Sequence, residues 1–168
     1  MALQFVNKSI SDGSANHLTV TGIDSDDVYL LLLYLIQTQN SNETINLRVT
    51  QSGTENSTSI FDRAASYISD QQSHGTRYYE NGTATRIFEN VQNANGGGAG
   101  MYYLYNFNDS DKYSYMTVEY VAHVSNQNAS YRGGAVHTQA AAADGVKVYG
   151  ASGGTFIEGA TALLYKVT

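Results

Sequence analysis

The chain has 168 residues, a formal net charge of −6 and no cysteine or proline, and charged residues make up only 14% of it. This length suits one domain with a single core, and the composition does not resemble that of a helical bundle. The lack of cysteine excludes a disulfide framework and a thiolate site, and the negative charge provides no basic surface for nucleic acid. We therefore expect one domain over residues 1–168 that does not bind nucleic acid.

The first third of the chain alternates between short strand-like segments and polar turns. We predict strands over residues 4–10, 17–22, 28–37 and 44–51. The third of these is apolar on both faces, as is typical of a strand in the middle of a sheet. The longest apolar run, residues 28–36, is far shorter than the roughly 20 residues of a membrane-spanning helix, so we expect no membrane partner.

The middle third contains two segments that decide the topology. Residues 60–70 fit either a helical stripe or an extended segment, and we expect an extended or short helical crossover there. The dipeptide Asn81-Gly82 suits a type I′ turn, so we predict a hairpin between residues 77–80 and 83–88. The glycine-rich stretch 95–100 lacks the Lys-Ser/Thr of a phosphate-binding loop and is predicted to be a mobile loop.

The last third continues the pattern of strands. We predict strands over residues 101–107, 112–124, 130–139, 146–149, 155–158 and 160–167. We expect the pair Gly133-Gly134 to break or bulge the strand that contains it. Eight to ten short strands separated by frequent turns are typical of an all-β sandwich or barrel, and we predict a single antiparallel β-sandwich.

Residues 150–154, Gly-Ala-Ser-Gly-Gly, match the G-x-S-x-G pattern that surrounds the nucleophile of α/β-hydrolases. Such a serine requires a helix directly after it and a histidine later in the chain. The residues after Gly154 alternate like a strand, and no histidine follows. We therefore predict that Ser152 lies in a glycine turn of a hairpin, that the chain has no catalytic residues and that it is not an enzyme.

Two acidic clusters place carboxylates two residues apart, a spacing that a bent loop can direct at calcium. The calcium candidates are Asp24, Asp26, Asp109 and Asp111. Neither cluster has the glycine and glutamate of an EF-hand loop, and Asx turns between strands explain both clusters equally well. The four histidines show no metal-binding spacing, so we predict no cofactor.

Tyrosines are the most prominent residues of the predicted strands. A tyrosine exposed on a sheet offers a flat surface to a sugar or a protein partner, whereas a tyrosine that faces inward covers the core. Tyr102 and Tyr103 are neighbours in one strand and must point to opposite faces, so at least one of them is expected to face outward or into a subunit interface. The candidate contact residues are Tyr78, Tyr79, Tyr102, Tyr103, Tyr105, Tyr113 and Tyr115.

Both ends of the chain carry recognisable patterns. The start, LQFVNKSISDGSANHLTVTGIDSDDVYLLLLYLI followed by INLRVTQSGT, resembles the opening of a family of small virion proteins of tailed bacteriophages. The end, GVKVYGASGGTFIEGATALLYKV, resembles the closing pattern of that family, with Lys166 where the family often has glycine. The resemblance covers the two outer thirds of the chain and rests on structural motifs.

This resemblance implies a jelly-roll-like β-sandwich on the surface of a virion, assembled in the cytoplasm of a bacterial host. It implies a capsid decoration or cement protein that binds the major capsid protein or other virion proteins, and commonly a trimer or dimer. The alternative that it leaves open is a tail-fibre or receptor-binding protein that holds a host glycan.

Overall fold

The computed structural model describes residues 2–58, 60–93, 97–124 and 126–168. Within these ranges the chain forms thirteen β-strands and no helix. No helix there is long and apolar enough to cross a membrane. The strands are β1 (Leu3–Asp12), β2 (His17–Thr21), β3 (Tyr29–Ile36), β4 (Glu43–Gln51), β5 (Thr54–Glu55), β6 (Phe61–Ser69), β7 (His74–Gly82), β8 (Thr85–Val91), β9 (Gly98–Tyr105), β10 (Ser114–Val124), β11 (Gln127–His137), β12 (Gly145–Gly150) and β13 (Glu158–Val167).

All the paired strands are antiparallel and belong to one sheet, in the order β1-β13-β3-β9-β10-β8-β4-β12-β2. The two ends of this series meet, because the side-chain amide of Asn7 in β1 donates to the carbonyl oxygen of Thr21 in β2 at 3.0 Å. The result is a nearly closed, barrel-like sheet. At β10 the sheet branches, since β10 also pairs with β11 along its whole length, and β6 and β7 extend that branch.

The core is built mainly from the inward-pointing residues of the strands. In β3 the side chains of Tyr29, Leu31 and Leu33 point inward and are fully buried, whereas Tyr34 is about half exposed. β3 lies between β13 and β9, as its apolar residues on both faces predict. The all-β, antiparallel prediction is therefore confirmed, although the strands are more numerous than predicted.

Residues 60–70 do not form a helical crossover. Phe61–Ser69 is the strand β6, which pairs with β11 on one side and with β7 on the other. The alternation was hidden because Arg63 occupies a buried inward position, with 3% of its surface exposed, while Ile68 points outward and is 69% exposed. A charged residue inside and an apolar residue outside imitate the spacing of a helix.

The hairpin predicted at Asn81-Gly82 is wrong. Asn81 does adopt a left-handed conformation, with a φ of 53°, but the strands on either side do not pair with each other. β7 pairs with β6, whereas β8 pairs with β4 and touches β10 at Val91. The turn therefore carries the chain from one side of the interior to the other.

The glycines of the middle and last thirds also differ from expectation. β11 runs without a bulge through Gly133 and Gly134, which lie opposite Val118 and Thr117 of β10. Of the stretch predicted to be a mobile loop, residues 95 and 96 lie outside the described residues, while Gly98 begins β9.

Candidate binding surface

The outer face of β9 and β10 carries a group of tyrosines. Tyr103 and Tyr105 project from β9 on the side away from the core, and their rings stack with centroids 6.4 Å apart. Tyr115 of β10 lies directly opposite Tyr105, and the two are 46% and 36% exposed. Directly opposite residues of an antiparallel pair point to the same face, so the three rings form one continuous wall.

A second wall stands on the same face at the edge of the branch. Tyr78 of β7 is 74% exposed, and it lies in one row with Ala64 of β6, Gly134 of β11 and Thr117 of β10. Thr117 in turn accepts a hydrogen bond from the backbone N–H of Tyr103 at 2.9 Å. Three strand intervals separate Tyr115 of β10 from β7 and four separate β9 from β7, so the two walls are about 14 to 19 Å apart.

The floor between the walls is low because its residues are small. Ala64 and Gly134 have almost no side chain to fill the space, and a depression of about 420 Å³ opens between them and Tyr78. We call the two walls and this floor the tyrosine trough. The depression is lined by Asp62, Arg63, Ala64, Tyr78, Tyr79, Glu80, Asn81, Gly134 and Val136.

Carboxylates provide the polar groups of the trough. Glu80 is exposed, and Asp62 is half-buried and accepts a hydrogen bond from the backbone N–H of Asn81 at 2.8 Å. The trough therefore combines flat apolar rings with hydrogen-bond acceptors. Such a surface suits a ligand that has apolar faces and hydrogen-bond donors.

Two of the predicted contact residues offer little or no exposed surface. Tyr102 is completely buried, donates to the carbonyl oxygen of Ile87 at 2.7 Å and belongs to the core, where burial raises its pKa well above the usual range. The ring of Tyr79 lies under the guanidinium of Arg86, 3.8 Å from the ring centroid, and is only partly exposed. Tyr102 therefore offers nothing to a partner, and Tyr79 offers only an edge.

Tyr113 lies just before β10, at the end of the sheet where the wall of Tyr105 and Tyr115 stands, and is 47% exposed. The loop that leads to it contains Asp109 and Asp111. The backbone N–H of Asp111 donates to the Asp109 carboxylate at 2.8 Å, which is an Asx turn. The Lys112 ammonium, 2.6 Å from that carboxylate, lowers the pKa of Asp109.

The other acidic loop is neutralised in a similar way. The Tyr29 hydroxyl donates to Asp24 at 2.8 Å and lowers its pKa, and the Lys166 ammonium lies 2.6 Å from Asp27 and lowers the pKa of that carboxyl. Asp26 is exposed. Among the described residues no group of three or more histidine or acidic side chains is placed to hold a metal ion.

Ser152 lies in the turn after β12, where its backbone N–H donates to the Glu43 carboxylate at 2.7 Å. The expected hairpin is wrong, because β12 pairs with β2 and β4 while β13 pairs with β1 and β3. Residues 155–158 contribute one isolated bridge, between Phe156 and Thr38, and the first residue of β13.

Sequence reasoning missed the floor of the trough. The adjacent glycines at 133 and 134 were the available signal, but they were interpreted as a break in the strand. Gly133 permits close approach to β6, because a Cβ atom there would lie 2.1 Å from the carbonyl oxygen of Ala64. Gly134 faces outward, and a Cβ atom there would only come within 3.4 Å of the Met116 carbonyl oxygen.

Comparisons with protein-family models, with curated proteins and with solved structures found no match for the chain.

Proposed function

We propose that the protein is a structural component of a bacteriophage virion that binds the outer surface of the capsid through the tyrosine trough and the neighbouring loops. The observation that carries this proposal is the exposure of Tyr78, Tyr105 and Tyr115 on one face of the sheet, where Tyr78 borders a depression over the small residues Ala64 and Gly134. Exposed tyrosines around a depression are typical of protein contact surfaces. The sequence patterns at the two ends of the chain supply the virion setting.

In this role the protein performs no chemistry. Each copy would contact neighbouring subunits of the major capsid protein, or other virion proteins, and so add buried interface to the assembled shell. Anything that binds only the assembled state stabilises it by mass action. The expected effect is a shell that resists heat or denaturant better when the protein is bound.

We also propose that the barrel-like sheet is a variant of the jelly-roll-like sandwich. Two layers of strands face each other across the interior: Arg63 on β6 contacts Glu89 on β8 at 2.6 Å, although these strands are not paired in the sheet. The branch of the sheet ends at an edge strand, β7, and an assembly can cover such an edge.

A second candidate is a tail-fibre or receptor-binding protein that holds a host glycan in the same trough. The observation in its favour is the combination of aromatic walls with the acceptor groups of Asp62 and Glu80, since a sugar ring stacks on tyrosine and its hydroxyls donate hydrogen bonds. The acidic surroundings favour an uncharged glycan over an acidic one.

The location of the chain in purified virions separates the two candidates. Cryo-electron microscopy with quantitative gel analysis should find many copies distributed over the head if the protein is a decoration protein. A few copies confined to the tail would favour the receptor-binding candidate, and absence from the particles would contradict both.

A further inference from the structure

The outer face of the sheet around β3 carries apolar side chains in its middle and opposite charges on its two sides. One row crosses five neighbouring strands: Lys8 of β1 lies opposite Leu163 of β13, Leu163 opposite Leu32 of β3, Leu32 opposite Met101 of β9, and Met101 opposite Glu119 of β10. The row therefore has a cation at one end, an anion at the other and three apolar side chains between them.

A second row lies beside the first. Ile10 of β1 is opposite Thr161 of β13, which is opposite Tyr34 of β3, and on the far side Ala99 of β9 is opposite Val121 of β10. Ile10, Tyr34 and Val121 are each about half exposed, at 53%, 48% and 56%. We call these two rows the β3 face.

The charges at the ends of the first row have no partner within the part of the chain that the structure describes. Lys8 and Glu119 are both exposed, and neither forms an ion pair within 4.0 Å there. Four strand intervals separate them, about 19 Å, so they cannot pair with each other inside one molecule. Arg132 of β11 lies beside Glu119, outside the β3 face.

A second copy of this chain fits the β3 face. Two copies can stack face to face about a two-fold axis that runs parallel to β3. Each strand on the β1 side of β3 in one copy then lies over the strand at the same distance on the β10 side of β3 in the other copy. Lys8 of each copy then lies over Glu119 of the other, and Leu32 lies over Leu32. In the second row, Ile10 lies over Val121. Apolar groups meet apolar groups, and each charge meets its opposite.

We infer that the protein associates with itself as a symmetric dimer through the β3 face, with Lys8 of each copy paired to Glu119 of the other. Such a contact is isologous, because the same patch serves both copies. The two ion pairs oppose the general repulsion between chains that each carry a net charge of −6. The inference does not rest on the virion role, since self-association is measured without particles.

Charge exchange tests this inference. Lys8→Glu would place two carboxylates together at each end of the interface, and Glu119→Lys would place two ammonium groups together, so each should weaken dimerisation at least about tenfold. The double variant K8E/E119K restores opposite charges across the interface and should dimerise about as well as the wild type. Sedimentation equilibrium of the full chain over a range of concentrations measures all four proteins.

Lys112→Glu is the matched control, because it makes the same change in net charge as Lys8→Glu but lies in the exposed loop before β10, outside the β3 face. It should leave the dissociation constant within about threefold of the wild type, apart from general repulsion. Thermal melts confirm that each variant folds. A monomeric wild type, a trimer, or a double variant that dimerises no better than the two single variants would overturn the inference.

Discussion

Two neighbouring glycines of β11 show how differently the two faces of the sheet are constrained. Gly133 faces inward, where the backbone of β6 leaves no room for a Cβ atom, whereas Gly134 faces outward, where a Cβ atom would meet only the Met116 carbonyl oxygen at 3.4 Å. Glycine is required by close packing at position 133, and at position 134 it forms the floor of the candidate binding surface. Stability should therefore depend on the inner face, and binding on the outer face.

The inner face below β6 and β11 is also unusual because it contains charge. Arg63 and Glu89 have side chains only 1% and 7% exposed and are joined at 2.6 Å, and Arg77 approaches the second carboxylate oxygen of Glu89 at 3.3 Å. The interior below β3 and β9 is instead lined by apolar side chains and the hydrogen-bonded Tyr102. The branch of the sheet thus encloses a buried ion pair, Arg63–Glu89, with Arg77 at its edge.

The largest effect is expected from Arg63→Ala. Removing this guanidinium leaves the Glu89 carboxylate buried beside Arg77 alone, and breaking a buried ion pair in this way costs about 3–5 kcal/mol. Denaturant unfolding should show a loss of this size. Replacing both partners with neutral groups, in R63M/E89Q, should be less harmful than Arg63→Ala, because no uncompensated charge remains.

Arg48 provides the control for this prediction. Its ion pair with Glu55 has an N–O distance of 3.5 Å and side chains 20% and 33% exposed. Arg48→Ala should therefore cost about 1 kcal/mol or less. Equal losses for Arg48→Ala and Arg63→Ala would contradict the expected difference between the buried pair and the partly exposed pair.

Gly133→Ala is expected to have the next largest effect. Its Cβ atom would approach the Ala64 carbonyl oxygen to 2.1 Å and the Ala65 Cα to 2.5 Å, and both atoms belong to backbone. The strands must therefore move apart, at a cost of about 3 kcal/mol. Circular dichroism melts measure the change, and a stability equal to that of the wild type would contradict the close packing of β11 against β6.

His137 gives the inner face a dependence on pH. Its ring is buried at 1% exposure and packs against Phe61, with centroids 4.9 Å apart, and burial lowers its pKa. Below the unfolded pKa of about 6.5 the unfolded chain binds a proton that the folded chain does not. The free energy of unfolding should therefore fall as the pH drops below that value, by at most about 1.4 kcal/mol per pH unit.

His137→Phe removes this contribution, so the stability of the variant should decline less between pH 7 and pH 5 than that of the wild type. The control is His74→Gln, because His74 is exposed at the start of β7. Urea unfolding at several pH values distinguishes the three proteins. Parallel pH curves for the wild type and His137→Phe would show that His137 does not titrate on unfolding.

The smallest effect on stability is expected at Gly134. Gly134→Ala adds a methyl group that makes only an ordinary contact with the Met116 carbonyl oxygen. The free energy of unfolding should stay within about 0.5 kcal/mol of the wild type. A loss as large as that of Gly133→Ala, in the same melts, would show that the two faces of β11 are equally constrained.

The sequence was sufficient for the strands that alternate clearly and for the class of fold. It failed at β6, where the inward position 63 is an arginine whose partner, Glu89, is 26 residues away. It also failed at Asn81-Gly82, because turn chemistry predicts a reversal of the chain but not which strand will be the next hydrogen-bonding neighbour. Both errors have the same cause. The structure at each place depends on contacts between segments that are far apart in the chain.

The candidate surfaces were predictable only in part. Alternation requires Tyr102 and Tyr103 to face opposite ways, but only the position of β9 in the sheet decides which one is inside. The trough and the β3 face depend on the register of five neighbouring strands from distant parts of the chain. No local pattern places Lys8 and Glu119 in one row, or Tyr78 in a row with Gly134.

Filling the floor of the trough is the most direct test of the claim that the outer face binds a partner. Gly134→Leu places a bulky side chain on the floor without a backbone clash, whereas Arg132→Ala changes the same face outside the depression. For the proposed virion role, each purified protein would be added to phage particles that lack this chain, and the bound fraction measured. We predict that Gly134→Leu has the melting temperature of the wild type but no longer binds. Arg132→Ala should bind as the wild type does. Full binding by Gly134→Leu would contradict the claim that the outer face binds a partner.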